Sequence, residues 1–127
     1  MFVQVISGKP GHTGLKRVTK AVGFSFKGLK AAFINEAAIR QELALIAILT
    51  PICLYLNISI IEKIILIGVL VNVLIVELIN SAIEAVVDRV GAEFHELSGR
   101  AKDIGSAAVF VAISFAAVTW IGVLVFS

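Results

Sequence analysis

The sequence predicts an all-α membrane protein, with a surface helix and three transmembrane helices in one domain. Of its 127 residues, 59% are hydrophobic and only 16% are charged, and the mean hydropathy is +1.03. Soluble domains are nearer half apolar and a quarter charged. Three apolar runs are long enough to cross a hydrocarbon core of about 30 Å, which takes roughly 20 helical residues. Membrane insertion is therefore the simplest explanation of the composition.

The residues before the first span are expected to form a flexible N-terminus and then a basic surface helix. Residues 1–14 contain four glycine or proline residues within seven positions and predict the flexible segment. Over residues 15–40, apolar side chains recur at steps of three and four, while lysines fall off that face. Such a helix is expected to lie flat on the membrane. Gly23 and Gly28 each cost about 1 kcal/mol relative to alanine and favour a break in it.

The three predicted spans are residues 43–61, 64–87 and 104–127. Pro51 is expected to kink the first of them. The second span is interrupted by two glutamates, whereas the third contains no charged residue. Together with the surface helix they make up a single membrane domain, residues 15–127.

Lysine and arginine predict how the spans are oriented. Most of these residues precede the first span, and three of the others lie between the second and third spans. The positive-inside rule therefore places the N-terminus and the loop 88–103 in the cytoplasm and the C-terminus outside.

Small residues recur on one stripe of the third helix, which allows another membrane helix to approach closely. They follow steps of 4, 3, 4 and 4: Ala101, Gly105, Ala108, Ala112 and Ala116. The stripe fits packing either within one copy of the chain or between copies. Because three helices can hardly surround a polar site, we expect a homo-oligomer.

Four polar residues of the second span, Glu77, Asn80, Ser81 and Glu84, share one side of the helix with Asp88, which directly follows the span. At 100° per residue they fall within an arc of about 100°. Counted from the outer end of the span, Glu77 lies about 20 Å and Glu84 about 30 Å along the helix. A charge near mid-membrane costs roughly 2.5–3.5 kcal/mol, so such residues usually serve a function. The structural alternatives are a protonated packing contact for Glu77 and a solvated helix-end charge for Asp88.

Depth divides the roles of these carboxylates. Glu84 lies within reach of water, and Glu36 lies on the same cytoplasmic side. Both suit Mg²⁺, which prefers one or two carboxylates together with phosphate oxygens. Glu77, deeper in the span, is placed to accept the proton of a lipid hydroxyl that attacks the terminal phosphate of ATP. Spacing alone leaves Lys102 equally suited to binding phosphates or to anchoring its helix, and His95 equally suited to function or to none.

Several site classes are not supported by the sequence. It contains neither a GxxxxGK[ST] phosphate loop nor the HRD and DFG motifs of protein kinases. One cysteine and two distant histidines do not predict a zinc site. The basic N-terminal arm precedes a membrane span and lacks a nucleic-acid-binding module, so lipid is the expected partner.

The central sequence ELINSAIEAVVDR, residues 77–89, followed by EFHELSGRAKD, residues 93–103, resembles the small prokaryotic diacylglycerol kinases. The similarity extends to GFSFKGLK at residues 23–30 and NEAAIRQE at residues 35–42, and it covers roughly residues 14–125. The resemblance implies a homotrimeric enzyme of the bacterial inner membrane with active sites shared between subunits. It also implies phosphorylation of diacylglycerol to phosphatidic acid with ATP and Mg²⁺.

The resemblance further implies roles for individual residues. Glu77 and Asn80 match catalytic positions, with Glu77 as the presumed base, and Glu36 and Glu84 match metal ligands. The positions that contact the nucleotide are Arg17, Phe24, Glu36, Glu84, Glu93, Phe94, His95, Lys102 and Asp103. The positions that line or support the lipid side are Arg17, Ser25, Phe26, Glu42, Glu77 and Ser106.

Two alternatives stay open at this point. A branch of the same family phosphorylates undecaprenol, and no physical rule separates the two substrates here, although residues 93–100 look more like the diacylglycerol branch. A small oligomeric proton or ion conductor would explain Glu77, but it gives the cytoplasmic Glu36, Glu84, His95 and Lys102 no role. A non-catalytic assembly subunit explains none of the polar arc.

Overall fold

A computed structural model describes residues 14–91 and 95–126. These residues form four helices, α1 (Gly14–Asn35), α2 (Ala37–Tyr55), α3 (Ile60–Val90) and α4 (Glu96–Phe126). The first belongs to one compact unit and the other three to a second. The segment predicted to be a flexible N-terminus lies outside the described residues except for Gly14. That glycine begins α1 with a φ of 58°, in the left-handed region that glycine adopts readily.

The helix α1 is continuous, so the break expected at Gly23 and Gly28 is wrong. It also ends at Asn35 rather than near residue 40. Glu36 has an extended backbone, with φ of −121° and ψ of 112°, and separates α1 from α2. The Asn35 side chain donates to the Ala31 carbonyl at 2.8 Å, one turn earlier in the same helix. The position of α1 at a membrane surface stays a prediction.

The helix α2 begins six residues before the predicted span 43–61 and ends six residues before its end. Pro51 lies inside this helix, and a kink there stays a prediction. At Leu56 the backbone becomes extended, and its N–H donates to the Cys53 carbonyl at 3.2 Å. The predicted span continues to residue 61 because two residues of the turn, Leu56 and Ile58, and the first two residues of α3 are apolar.

A hydrogen-bonded turn connects α2 to α3. The Ser59 N–H donates to Glu62 Oε1 at 2.9 Å and the Glu62 N–H donates to Ser59 Oγ at 3.1 Å, a capping box that starts α3. Lys63 Nζ donates to the Leu54 carbonyl at 2.7 Å and so caps the end of α2. Polar side chains thereby satisfy the open ends of both helices where the chain reverses.

Both α3 and α4 have 31 residues. At 1.5 Å per residue each is about 46 Å long, which exceeds a hydrocarbon core of about 30 Å. Together with α2 they are long and apolar enough to cross a membrane, which confirms the three predicted spans in number. The predicted span 104–127 misses the first two turns of α4, because the helix continues through its charged residues.

The three helices pack with α3 against both α2 and α4. Val69 and Val73 of α3 are buried against Ala112 and Ala116 of α4. Trp120 extends this contact, since its Nε1 donates to the Leu66 carbonyl at 3.1 Å. The packing fixes the register of α3 against α4.

The small residues of α4 are divided between two surfaces. Gly105, Ala112 and Ala116 are buried inside the helix packing, while Ala108 is exposed. Of the two uses that the stripe allows, packing within one copy of the chain is present for the three buried residues. A contact between copies stays a prediction.

Candidate active site

The polar arc of α3 changes its surroundings along the helix. Glu77, Asn80, Ser81 and Glu84 are partly buried, whereas Asp88 is exposed. The arc is therefore partly sheltered as far as Glu84 and open towards the C-terminal end of α3.

Asn80 lies at one edge of the arc and contacts two helices. Its Nδ2 donates to Glu84 Oε2 at 3.3 Å, one turn further along α3. Its Oδ1 is buried and has no hydrogen-bond partner among the described residues. That oxygen lies where a side chain at Gly105 of α4 would begin. Sequence spacing placed Asn80 on the arc but gave no sign of its contact with Gly105.

The charges of four glutamate carboxylates interact with one another. The charges of Glu84 and Glu36 both act on Glu77, and Glu77 in turn acts on Glu42. Glu36 precedes the first turn of α2, and Glu42 lies on α2, so two segments of the chain contribute to the group. Like charges held close together repel one another. A cation near these carboxylates would offset that repulsion.

The chemistry of these donors fits Mg²⁺. Among residues 14–91 and 95–126, no three His, Cys, Asp or Glu side chains are placed to hold a metal ion together. Mg²⁺ is usually bound by one or two carboxylates and completes its coordination with waters and substrate phosphates. Glu36 and Glu84 supply that number of hard oxygen donors.

Glu42 is the most buried charged side chain of the described residues. It is only 7% exposed, and its Oε2 is buried with no hydrogen-bond partner in the described part of the chain. Leaving such an acceptor unpaired costs about 1–3 kcal/mol or more. Glu42 is thus placed to accept a hydrogen bond from a bound molecule.

The C-terminal end of α3 and the N-terminal end of α4 carry further charged groups. Lys102 Nζ lies 2.7 Å from Asp88 Oδ1, and Arg100 lies 3.7 Å from Glu96. Asp103 is exposed. These groups present both signs of charge beside the open end of the arc.

His95 caps the start of α4. Its Nδ1 accepts from the Leu97 N–H at 3.1 Å, and its carbonyl accepts from the Gly99 N–H at 2.9 Å. A neutral imidazole that accepts at Nδ1 carries its proton on Nε2. His95 therefore has one nitrogen used by the fold and a second that is able to donate to a ligand.

The remaining predicted site residues lie on α1, on α4 or outside the described residues. Ser25 and Phe26 lie on α1 and line one shallow apolar groove of about 270 Å³ along it. Arg17 and Phe24 also lie on α1, and Ser106 is exposed on α4. Glu93 and Phe94 lie outside the described residues.

Comparison with known proteins agrees with the motifs. Residues 23–124 match the family model for prokaryotic diacylglycerol kinase. The chain is 56% identical over 108 residues to the diacylglycerol kinase of Escherichia coli K12, covering 85% of this chain and 88% of that protein. It is 52% identical over 114 residues to the Pseudomonas aeruginosa protein of the same name, covering 90% and 93% of the two chains. The diacylglycerol kinase of Helicobacter pylori strain 26695 is 40% identical over 111 residues, 87% of each chain.

Proposed function

Because this chain belongs to the prokaryotic diacylglycerol kinase family, we propose that it transfers phosphate on the polar arc of α3, with Glu77 as general base. The chain is an enzyme of a bacterial membrane that phosphorylates diacylglycerol. The observation that carries the proposed site is the grouping of Glu36, Glu77 and Glu84, whose charges interact although two segments of the chain supply them.

The proposed reaction is a direct displacement. The free hydroxyl oxygen of diacylglycerol attacks the terminal phosphorus of ATP, and a new O–P bond forms as the bond to the bridging oxygen of ADP breaks. The hydroxyl proton passes to Glu77. A carboxylate sheltered from water and close to the headgroups suits this transfer, because a base acts only within hydrogen-bond reach of the proton it removes.

Glu84 and Glu36 would hold Mg²⁺ in this proposal. When bound, the ion neutralises charge on the ATP phosphates. Asn80 supports the site by donating to Glu84, which limits the directions in which that carboxylate points. Positioning of this kind is the main contribution that a protein makes to phosphoryl transfer.

The nucleotide is proposed to bind at the cytoplasmic end of the arc. Lys102 and the Nε2–H of His95 provide donors for phosphate oxygens there. Arg17, Phe24, Glu93, Phe94 and Asp103 complete the set that the family resemblance implies. The two groups described at this end of α4 support the nucleotide site, since Lys102 lies beside Asp88 and His95 lies at the start of the same helix.

Diacylglycerol is proposed to bind on the membrane side of Glu77. Glu42 offers a buried acceptor without a partner among the described residues, which suits a lipid hydroxyl or glycerol backbone. Ser25, Phe26 and Arg17 of α1, together with Ser106, are the further lipid positions. The apolar face that carries Phe26 supports this assignment.

We further propose that the chain forms a homotrimer whose active sites are shared between subunits. The trimer lies in the inner membrane, with the open end of the arc in the cytoplasm. A groove of about 440 Å³ between α3 and α4, lined by Asn72, Ala108 and Phe115 among others, supports association. Asn72 is an exposed amide within the span, and polar side chains in membranes are favoured where another helix hydrogen-bonds them.

The substrate is tested with purified protein in mixed micelles. Labelled ATP and Mg²⁺ are supplied with either dioleoylglycerol or undecaprenol, and the label in each lipid is counted. We expect label in the dioleoylglycerol product, phosphatidic acid. Label in undecaprenyl phosphate alone would assign the chain to the isoprenol branch. Absence of transfer to either, with Glu77-dependent proton flux in liposomes, would support the conductor instead.

A further inference from the structure

Gly105 differs from the other span glycines in what faces it. A side chain at Gly105 would begin where Asn80 Oδ1 already lies, with Asn80 Cγ at 3.2 Å. Gly68 and Gly122 have nothing in the described structure within 4 Å of the corresponding point. Gly105 is also buried, at the place where α4 packs against α3. The space left by its missing side chain is occupied by a polar group from the partner helix.

This space determines where the Asn80 carboxamide lies. With Oδ1 against Gly105, Nδ2 is directed to Glu84 Oε2 at 3.3 Å. The oxygen receives no hydrogen bond from a described residue in return, so packing, and not a donor, holds the amide in this orientation. A methyl group at residue 105 would displace Oδ1 and with it the donor that faces Glu84.

We propose that Gly105 is a positioning residue for the kinase reaction: it admits the Asn80 carboxamide between α3 and α4, and Asn80 in turn orients the Glu84 carboxylate. The inference rests on the proposed role of Glu84 as a Mg²⁺ ligand. A glutamate side chain has several rotatable bonds, so a ligand of this kind needs a neighbour to fix its direction. Loss of such a neighbour typically weakens metal binding or activity by roughly 10- to 100-fold.

A packing role alone would have different consequences. If Gly105 only allowed α4 to approach α3, any side chain there would separate the helices whatever stood at residue 80. If its purpose is to admit the carboxamide, shortening residue 80 should remove the cost of a side chain at residue 105. Residues in contact reveal such a dependence when two substitutions are combined.

The test compares Gly105→Ala, Asn80→Ser and the double variant, with Gly68→Ala and Gly122→Ala as matched controls. For each, the initial rate of phosphoryl transfer to dioleoylglycerol is measured as Mg²⁺ is titrated, and thermal unfolding is recorded. We expect Gly105→Ala to raise the Mg²⁺ concentration for half-maximal rate about tenfold or more. In the Asn80→Ser background the same change should add less than about twofold, and both controls should match the wild type.

The opposite results overturn the inference. Equal effects of Gly105→Ala in both backgrounds would leave only a packing role, as would lower thermal stability with an unchanged Mg²⁺ titration. If Gly105→Ala fails to fold, recovery of the folded protein by Asn80→Ser supports the contact, and no recovery contradicts it. Glu84→Gln, measured in parallel, separates the two proposals. If it shifts the titration and Gly105→Ala does not, the inference alone fails; if Glu84→Gln shifts nothing, the metal site fails and the inference with it.

Discussion

Lys102 on α4 is joined to Asp88 on α3, with 2.7 Å between Nζ and Oδ1. Both side chains are partly exposed, at 45% and 65%, and exposed ion pairs usually contribute only about 0–1 kcal/mol to stability. The pair therefore does little to hold the helices together. Its consequence is local, because an ammonium with three donors is held beside the open end of the polar arc.

Lys102→Ala is expected to raise the KM for ATP by about tenfold, because a hydrogen bond to a charged group contributes roughly 1.5–3 kcal/mol. Asp88→Ala removes the same ion pair but leaves the ammonium, so its KM should change by less than about threefold. Steady-state kinetics with ATP varied at saturating lipid measure both. Equal changes in the two variants would mean that Lys102 acts only through Asp88.

His95→Asn is expected to separate the two nitrogens of the imidazole. Asparagine is a good helix cap and can replace Nδ1 as the acceptor for Leu97, but it has no group at the place of Nε2. The variant should keep the melting temperature of the wild type and raise the KM for ATP several-fold. His95→Ala removes both nitrogens, so it should lower the melting temperature and also raise the KM for ATP. An unchanged KM in His95→Asn would show that capping is the whole role of this histidine.

Glu42→Gln is expected to raise the KM for dioleoylglycerol severalfold while the KM for ATP stays the same. The reason is that a lipid group is proposed to donate to Oε2, which has no partner among the described residues. Thr50→Val is the matched control, since Thr50 Oγ1 on the same helix is also buried without a hydrogen-bond partner in the described part of the chain. Its kinetics should equal those of the wild type. A rise in the KM for ATP with Glu42→Gln would place this carboxylate on the nucleotide side.

Glu84→Gln is expected to weaken the response to Mg²⁺, because an amide oxygen is a poorer ligand than a carboxylate for a hard cation. The rate should fall at low Mg²⁺ and recover in part as Mg²⁺ is raised. Glu96→Gln is the control, an exposed glutamate paired with Arg100 and outside the arc. A uniform loss of rate at every Mg²⁺ concentration would contradict a ligand role for Glu84.

The sequence predicts the spans and the polar arc, because each depends only on the residues within a single helix. Runs of apolar residues determine which segments cross the membrane, and the spacing of 100° per residue brings Glu77 and Glu84 to one side of α3. Neither prediction depends on which helices pack against each other.

Features that depend on two elements were not predicted from spacing. The contact of Asn80 with Gly105 requires the register of α3 against α4, and hydropathy contains no such information. The boundary at Glu36 is set by backbone geometry and not by composition. The burial of Glu42 did leave a signal, since Glu42 and Cys53 both continue the helical spacing from Ile39 that forms the buried face of α2. A carboxylate on an otherwise apolar helix face is therefore a candidate site residue, just as one in the middle of a span is.

The role of Glu77 as general base is tested by the rate of label transfer from ATP to dioleoylglycerol by Glu77→Gln at saturating Mg²⁺ and both substrates. Glutamine keeps the size of the side chain but cannot accept the proton, and removing a general base costs about 10²–10⁴-fold. We predict a fall in kcat of that size, with nucleotide binding and assembly close to those of the wild type. A kcat within about threefold of the wild type would contradict Glu77 as the base.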